Sequence, residues 1–217
     1  MSKFYLLTAV VPHGKAELIS NAAVEAGSFG GTVCIGRSIS SNNVIAALGL
    51  GSETRDLVYI LTENPQHSAI VKSILKVCEN EKSNFGYMYI LESSKMLKTG
   101  NISEGELDMS FTPTNELITI ILNKGYADDA MAAARKAGAG GGTVINARGT
   151  AREDDEKFFG MHIVPEKEML MIIVDNDKKD AVLEAIKTLP CLSEPGSGIV
   201  FNLPIQEFYN LGKTLAN

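Results

Sequence analysis

Leu6–Arg37, LLTAVVPHGKAELISNAAVEAGSFGGTVCIGR, and Leu117–Arg148, LITIILNKGYADDAMAAARKAGAGGGTVINAR, are one pattern written twice with no gap. Leu6 meets Leu117, Thr8 meets Thr119, Gly14 meets Gly125 and Ala26-Gly27 meets Ala137-Gly138. Gly30-Gly31-Thr32-Val33 meets Gly141-Gly142-Thr143-Val144, and Arg37 meets Arg148. About two positions in five are identical, which chance rarely gives over such a stretch. After a slip of one residue the match resumes. Leu57–Asn64 lies over Met169–Asn176, Gly86 over Gly198, Tyr89 over Phe201 and Leu91 over Leu203.

The chain therefore divides into a first copy, residues 1–95, and a second copy, residues 114–217. Residues 96–113 are polar and hold Gly100, Gly105 and Pro113, which marks a linker. Within the second copy, Glu116–Leu122 is almost wholly apolar or β-branched and predicts a strand. Ala127–Ala137 is alanine-rich and predicts a helix, ended by Gly138 as a residue able to take positive φ. Thr143–Arg148 and Leu170–Val174 are further strands. Asp177–Leu189 is an amphipathic helix with Asp175 or Asn176 as its N-cap, and Ile199–Leu203 is a last strand. Gln206–Asn217 reads as a short helix or tail. The order β-α-β-β-α-β, twice, predicts an α+β protein. Its two tandem ferredoxin-like domains each lay two helices on a four-stranded antiparallel sheet.

Composition narrows the function. The net charge is −6 with no Lys/Arg cluster, which argues against nucleic-acid binding. No apolar run is long enough for membrane insertion. Phe4–Val11 runs into Pro12-His13-Gly14 and reads as a first strand, not a signal peptide. Cys34, Cys78 and Cys191 are odd in number and widely spaced, which fits reduced thiols in a cytoplasm. No nucleophile motif occurs, so the chain is expected not to be an enzyme. His13, His67 and His162 have no metal-ligand spacing. His162 is the best metal candidate, beside Asp154 and Asp155, but a solvated loop histidine is the simpler reading.

Three stretches of the second copy carry a resemblance to the P-II family of signalling proteins. Gly141-Gly142-Thr143-Val144 is similar to the family's Gly-x-Thr-Val signature. Arg148-Gly149-Thr150-Ala151-Arg152 opens a long segment, 149–166, where the family has its mobile T-loop. Gly196-Ser197-Gly198-Ile199-Val200-Phe201, in the segment 193–199 and just after it, resembles the phosphate-contacting B-loop. Closely spaced glycines let backbone N–H groups converge on an anion, and Arg152 suits a bidentate phosphate contact.

The resemblance implies a regulator, in nitrogen control, that requires no cofactor. Its effector is ATP, ADP, AMP or a related anion, and the mobile loop acts on a partner protein: a transporter, an enzyme or a transcription factor. It implies a homotrimer, and effector contacts at Thr143, Arg148, Gly149, Arg152, Gly196, Ser197 and Gly198. In the more degenerate first copy, chiefly architectural, Thr32 and Arg37 survive. Two departures stand out: the B-loop lysine is Ile199 here, and the basic C-terminal segment is missing. The alternative is a metal- or anion-responsive ferredoxin-like trimer of the copper-tolerance type.

Overall fold

The structure, a computed structural model, describes residues 3–39, 52–98, 101–108, 110–149, 157–158, 161–162, 166–192 and 197–213. The first copy runs β1 (Phe4–Pro12), α1 (Ala16–Glu25), β2 (Thr32–Ile39), β3 (Thr54–Glu63), α2 (His67–Cys78) and β4 (Gly86–Ser93). The second runs β7 (Asn115–Asn123), α3 (Ala127–Lys136), β8 (Gly142–Arg148), β11 (Glu166–Asp175), α4 (Lys179–Lys187) and β12 (Gly198–Ile205). The expected β-α-β-β-α-β order is thus present in both copies.

Three differences from the sequence reading concern connections. Within the expected linker, β5 (Lys95–Lys98) and β6 (Asn101–Glu104) form an antiparallel hairpin. Within the T-loop-like segment, β9 (Lys157–Phe158) and β10 (Met161–His162) pair. The segment expected as a short helix or tail contains a strand, β13 (Glu207–Leu211), antiparallel to β4 with Glu207 opposite Ile90 and Leu211 opposite Gly86. Glu207, Tyr209 and Leu211 alternate on one face, and a period of two fits a pleated edge, not a helix.

The chain folds into two compact units whose bounds cross the copies. The first contains Met1–Ile35, Thr54–Asn115 and Pro204–Asn217, and the second Gly36–Glu53 and Glu116–Leu203. The strand order in the first is β2-β3-β1-β4-β13. Its core joins Leu7, Ala9 and Val11 of β1, Val58 and Ile60 of β3, and Ile19, Ile70 and Ile74 of the helices. In the second the order is β12-β7-β11-β8, closed by Gly36–Ile39 of β2, which pairs antiparallel with Ile145–Gly142 of β8. Its core joins Ile118, Ile120 and Leu122 to Met131, Leu170, Ile172, Val182 and Ile186.

Local chemistry explains the helices. α3 is rich in alanine, with Asp128 and Asp129 in its first turn and Arg135 and Lys136 in its last, matching the helix dipole at both ends. The expected αL residue after it is Gly138, at φ +101°, and its counterpart Gly27 has φ +101° after α1. The proposed N-cap of the last helix is different. Asp175 makes no cap hydrogen bond; a 3-10 turn, Asn176–Lys178, precedes α4, and Lys178 Nζ donates to Asp175.

Candidate site at one end of the second sheet

Strand direction decides which of the expected residues meet. β7 and β8 end, and β11 and β12 begin, at the same edge of the second unit. Glu166 lies opposite Arg148 and Lys167 opposite Ala147. Lys124 donates its backbone N–H to the Glu166 carbonyl at 3.1 Å. Arg148, Gly149, Ser197 and Gly198 therefore share one end of the sheet, drawn from segments some fifty residues apart in sequence.

Gly198 has a packing reason for being glycine. A Cβ there would stand 2.6 Å from the Ile121 carbonyl oxygen and would also run into the Leu192 side chain. Its first-copy counterpart Gly86 lies just as tightly on Val10, where a Cβ would overlap the backbone carbonyl. In both copies the last strand approaches the first more closely than any side chain permits, so the glycine serves the fold whether or not it serves a ligand.

Sequence reasoning missed two cations at this end. Lys167 Nζ lies 2.6 Å from Asn123 Oδ1 and 3.4 Å from the Ser197 carbonyl oxygen, tying β11 to the end of β7 and the start of β12. Lys124 Nζ donates to Glu166 Oε2 at 2.7 Å, and that hydrogen bond raises the lysine's pKa. Neither lysine belongs to a glycine motif, so no local signal marked them. Ile199, in the place of the B-loop lysine, is exposed.

The other expected contacts lie elsewhere. Thr143 is buried, opposite Met171 and Ser38, five residues back along β8 and roughly 17 Å from Arg148 at strand rise. Thr32 is exposed in the first unit. Arg152 and Gly196 lie outside the described residues.

Arg37 is the clearest change of role. Its Nη1 and Nη2 donate to the two carboxylate oxygens of Asp128 at 3.0 and 3.1 Å, and Nη2 reaches Glu168 Oε1 at 3.4 Å. Burial acts to lower the guanidinium pKa, but hydrogen bonds and charge from Asp128 and Glu168 outweigh it and raise the net value. Glu168 Oε2 in turn accepts from the Gly125 and Ala127 N–H groups at 2.9 and 3.2 Å. These N–H groups sit at the start of α3, where no local side chain caps the helix. Arg37 thus closes a helix-capping network. In the first unit Asp56, counterpart of Glu168, accepts from Gly14 N at 2.8 Å, and His13 Nδ1 is its partner at 2.8 Å. Desolvation acts to raise the Asp56 pKa, but hydrogen bonds from His13 and Gly14 bring it below the ordinary value.

Among the described residues, no group of three His, Cys, Asp or Glu side chains converges as a metal site. No helix among them is long and apolar enough to cross a membrane. Described parts of the three cysteines' surroundings leave all three thiols free.

Residues 115–213 match the family model of nitrogen regulatory protein P-II. The second copy is similar to that family over this span. The match spans β7 through β13, and so includes the strand that returns to the first unit. Among solved structures, the chain is similar to Arabidopsis thaliana PII bound to citrate, at 20% identity and a TM-score of 0.38, over 47% of this chain and 90% of that one. No curated protein sequence matches. The matched span has the β-α-β-β-α-β order, and β12 itself carries no basic residue.

Proposed function

We propose that this chain is a P-II-like regulatory protein whose second unit binds a small anion at the shared strand ends. The observation that carries the reading is the approach of Lys167 to the Ser197 carbonyl, beside Gly198, where β11 and β12 begin. Lys167 supplies from β11 a positive charge close to Ser197, in the neighbourhood where Ile199 has removed one. Arg148 stands exposed at the end of β8, opposite Glu166. Adenine nucleotides and 2-oxoglutarate present phosphate or carboxylate oxygens that such groups recognise. Thr143 and Arg37 are left out of this site: one is buried at a distance, the other is engaged in the α3 cap.

In this proposal anion binding changes how the segment 149–166 engages a partner protein. P-II family proteins are signalling regulators, and the chain acts in that way and not as an enzyme. Three copies of the 23.3 kDa chain form the working assembly, located in the cytoplasm, with nitrogen status as the signal.

Calorimetry with ATP, ADP, AMP, cyclic dinucleotides and 2-oxoglutarate tests the site. At least one gives saturable heat, and Lys167→Met weakens it about tenfold or more, the scale of one charge-assisted contact. Silence across the whole panel rejects the reading.

A further inference from the structure

We infer that copies of this chain join head to tail, the outer edge of β5 in one copy adding to the open edge of β12 in the next. The inference deepens the three-copy assembly proposed above and takes from it only the number of copies. The first unit shows what such an edge accepts. There β13 lies along Gly86–Ile90 of β4, with Phe208 opposite Tyr89 and its ring 6.2 Å from that of Tyr87. The counterparts of Gly86–Ile90 are Gly198–Asn202, and those of Tyr87, Tyr89 and Leu91 are Ile199, Phe201 and Leu203. Among the described residues β12 ends the strand order, with β7 as its only neighbour. Ile199 is 60% exposed, Phe201 42% and Leu203 40%. Gly198–Ile205 carries no charged side chain to discourage pairing. Pro204, which lacks a donor N–H, lies beyond the stretch whose counterpart β13 covers.

The same comparison supplies the strand. β13 follows β12 after a single residue, Gln206, and β5 follows β4 after a single residue, Ser94. Lys95–Lys98 is thus the counterpart of Glu207–Asn210. β13 belongs to a main sheet, whereas β5 pairs only with β6, in a two-stranded sheet of their own. Gly105 donates its N–H to the Ser94 carbonyl at 2.8 Å. By antiparallel alternation Ser94, Met96 and Lys98 turn their backbone groups toward β6, and Lys95 and Leu97 turn theirs away. The outward Lys95 carbonyl accepts from Ser93 Oγ at 2.9 Å, which leaves the Lys95 N–H and both Leu97 groups to form the outer edge.

One strand and one edge are therefore left over in each chain. Side chains on the hairpin fit the match. Met96 is buried and anchors one face. Lys95 Nζ meets Glu104 at 2.9 Å on the other face, and Ile102, 68% exposed, lies on that same face by register. A strand added at β5 extends this face with the stripe Ile199, Phe201 and Leu203. It also gives the hairpin a third strand, and two strands alone are marginal in water. The giving and the receiving edge are different surfaces of one chain, so the contact is heterologous and closes as a ring.

The test mixes two full-length variants and reads mass by sedimentation. Phe201→Glu places a charge on the β12 stripe and leaves β5 intact. Leu97→Pro removes an outward N–H of β5 and leaves the bonds to β6, and all of β12, intact. The wild-type chain assembles, and each variant alone is a monomer of 23.3 kDa. An equimolar mixture forms a dimer with one chain of each kind, because one intact β5 meets one intact β12. Hydrogen exchange on the wild-type chain needs no substitution: the Leu97 amide and those of 198–202 exchange more slowly in concentrated than in dilute protein. The inference is overturned by a monomeric wild-type chain, by either folded variant assembling as the wild type does, by a mixture that stays monomeric, or by exchange there that ignores concentration. A complementing mixture with a wild-type ring of another size keeps the contact and rejects the three-copy number.

Discussion

Replacing Arg37 by alanine separates a structural from a ligand-binding role. Asp128, its bidentate partner, has a side chain 64% exposed, so that pair contributes under about 1 kcal/mol. Glu168 is 6% exposed and keeps its two backbone donors, but it loses the guanidinium beside it, a cost of about 1 kcal/mol. The expected loss for Arg37→Ala is therefore about 1–2 kcal/mol, confined to the second unit. For a unit of roughly 100 residues that is a fall in Tm of about 4–8 °C per kcal/mol. Arg37→Lys recovers only part of it, because an ammonium cannot replace the planar fork. Urea unfolding followed by circular dichroism measures the loss, and calorimetry with the nucleotide panel measures binding. Arg37→Ala lowers stability and leaves anion affinity unchanged at saturating folded fraction. Loss of anion binding at unchanged stability would refute the capping argument and restore Arg37 to the ligand site.

Other consequences are directly measurable. Gly86→Ala and Gly198→Ala each force a Cβ into a strand backbone and destabilise by about 2–3 kcal/mol, read by urea denaturation; a change under about 0.5 kcal/mol contradicts the close approach. The Glu207 pKa is lowered by the hydrogen bond from His67, against desolvation that raises it, and further lowered by Tyr209. A depressed carboxylate stabilises the fold above its ordinary value of 4.5 and loses that contribution as pH falls through the folded pKa. Glu207→Gln should therefore flatten the acid limb of the stability profile below about pH 4.5, and an unchanged limb argues against the pairing. Burial pushes the Cys78 thiol up to about 11, so it stays unreactive toward a disulfide reagent at pH 8 until the chain unfolds; rapid labelling of the native protein at Cys78 would contradict this.

The segment order was legible in the sequence because it rests on local physics. Alanines with a following glycine made α3 and its αL exit visible, and β-branched runs made β7 and β11 visible, since each signal spans a few neighbouring residues. The repeat added what one copy alone lacks: Gly86 and Gly198 match because both last strands lie against the first too closely for a Cβ. The P-II resemblance was legible for the same reason, through short motifs in a fixed order. Tertiary structure alone decided the rest. Strand direction brought Lys167 to Ser197, and pairing added Gly36–Ile39 to the second sheet and β13 to the first. Glu168 reached the start of α3 from another strand, turning Arg37 from an expected ligand contact into part of a helix cap. Those outcomes depend on which distant edges pair and which carboxylates are buried, and such contacts leave no periodicity in the chain that makes them.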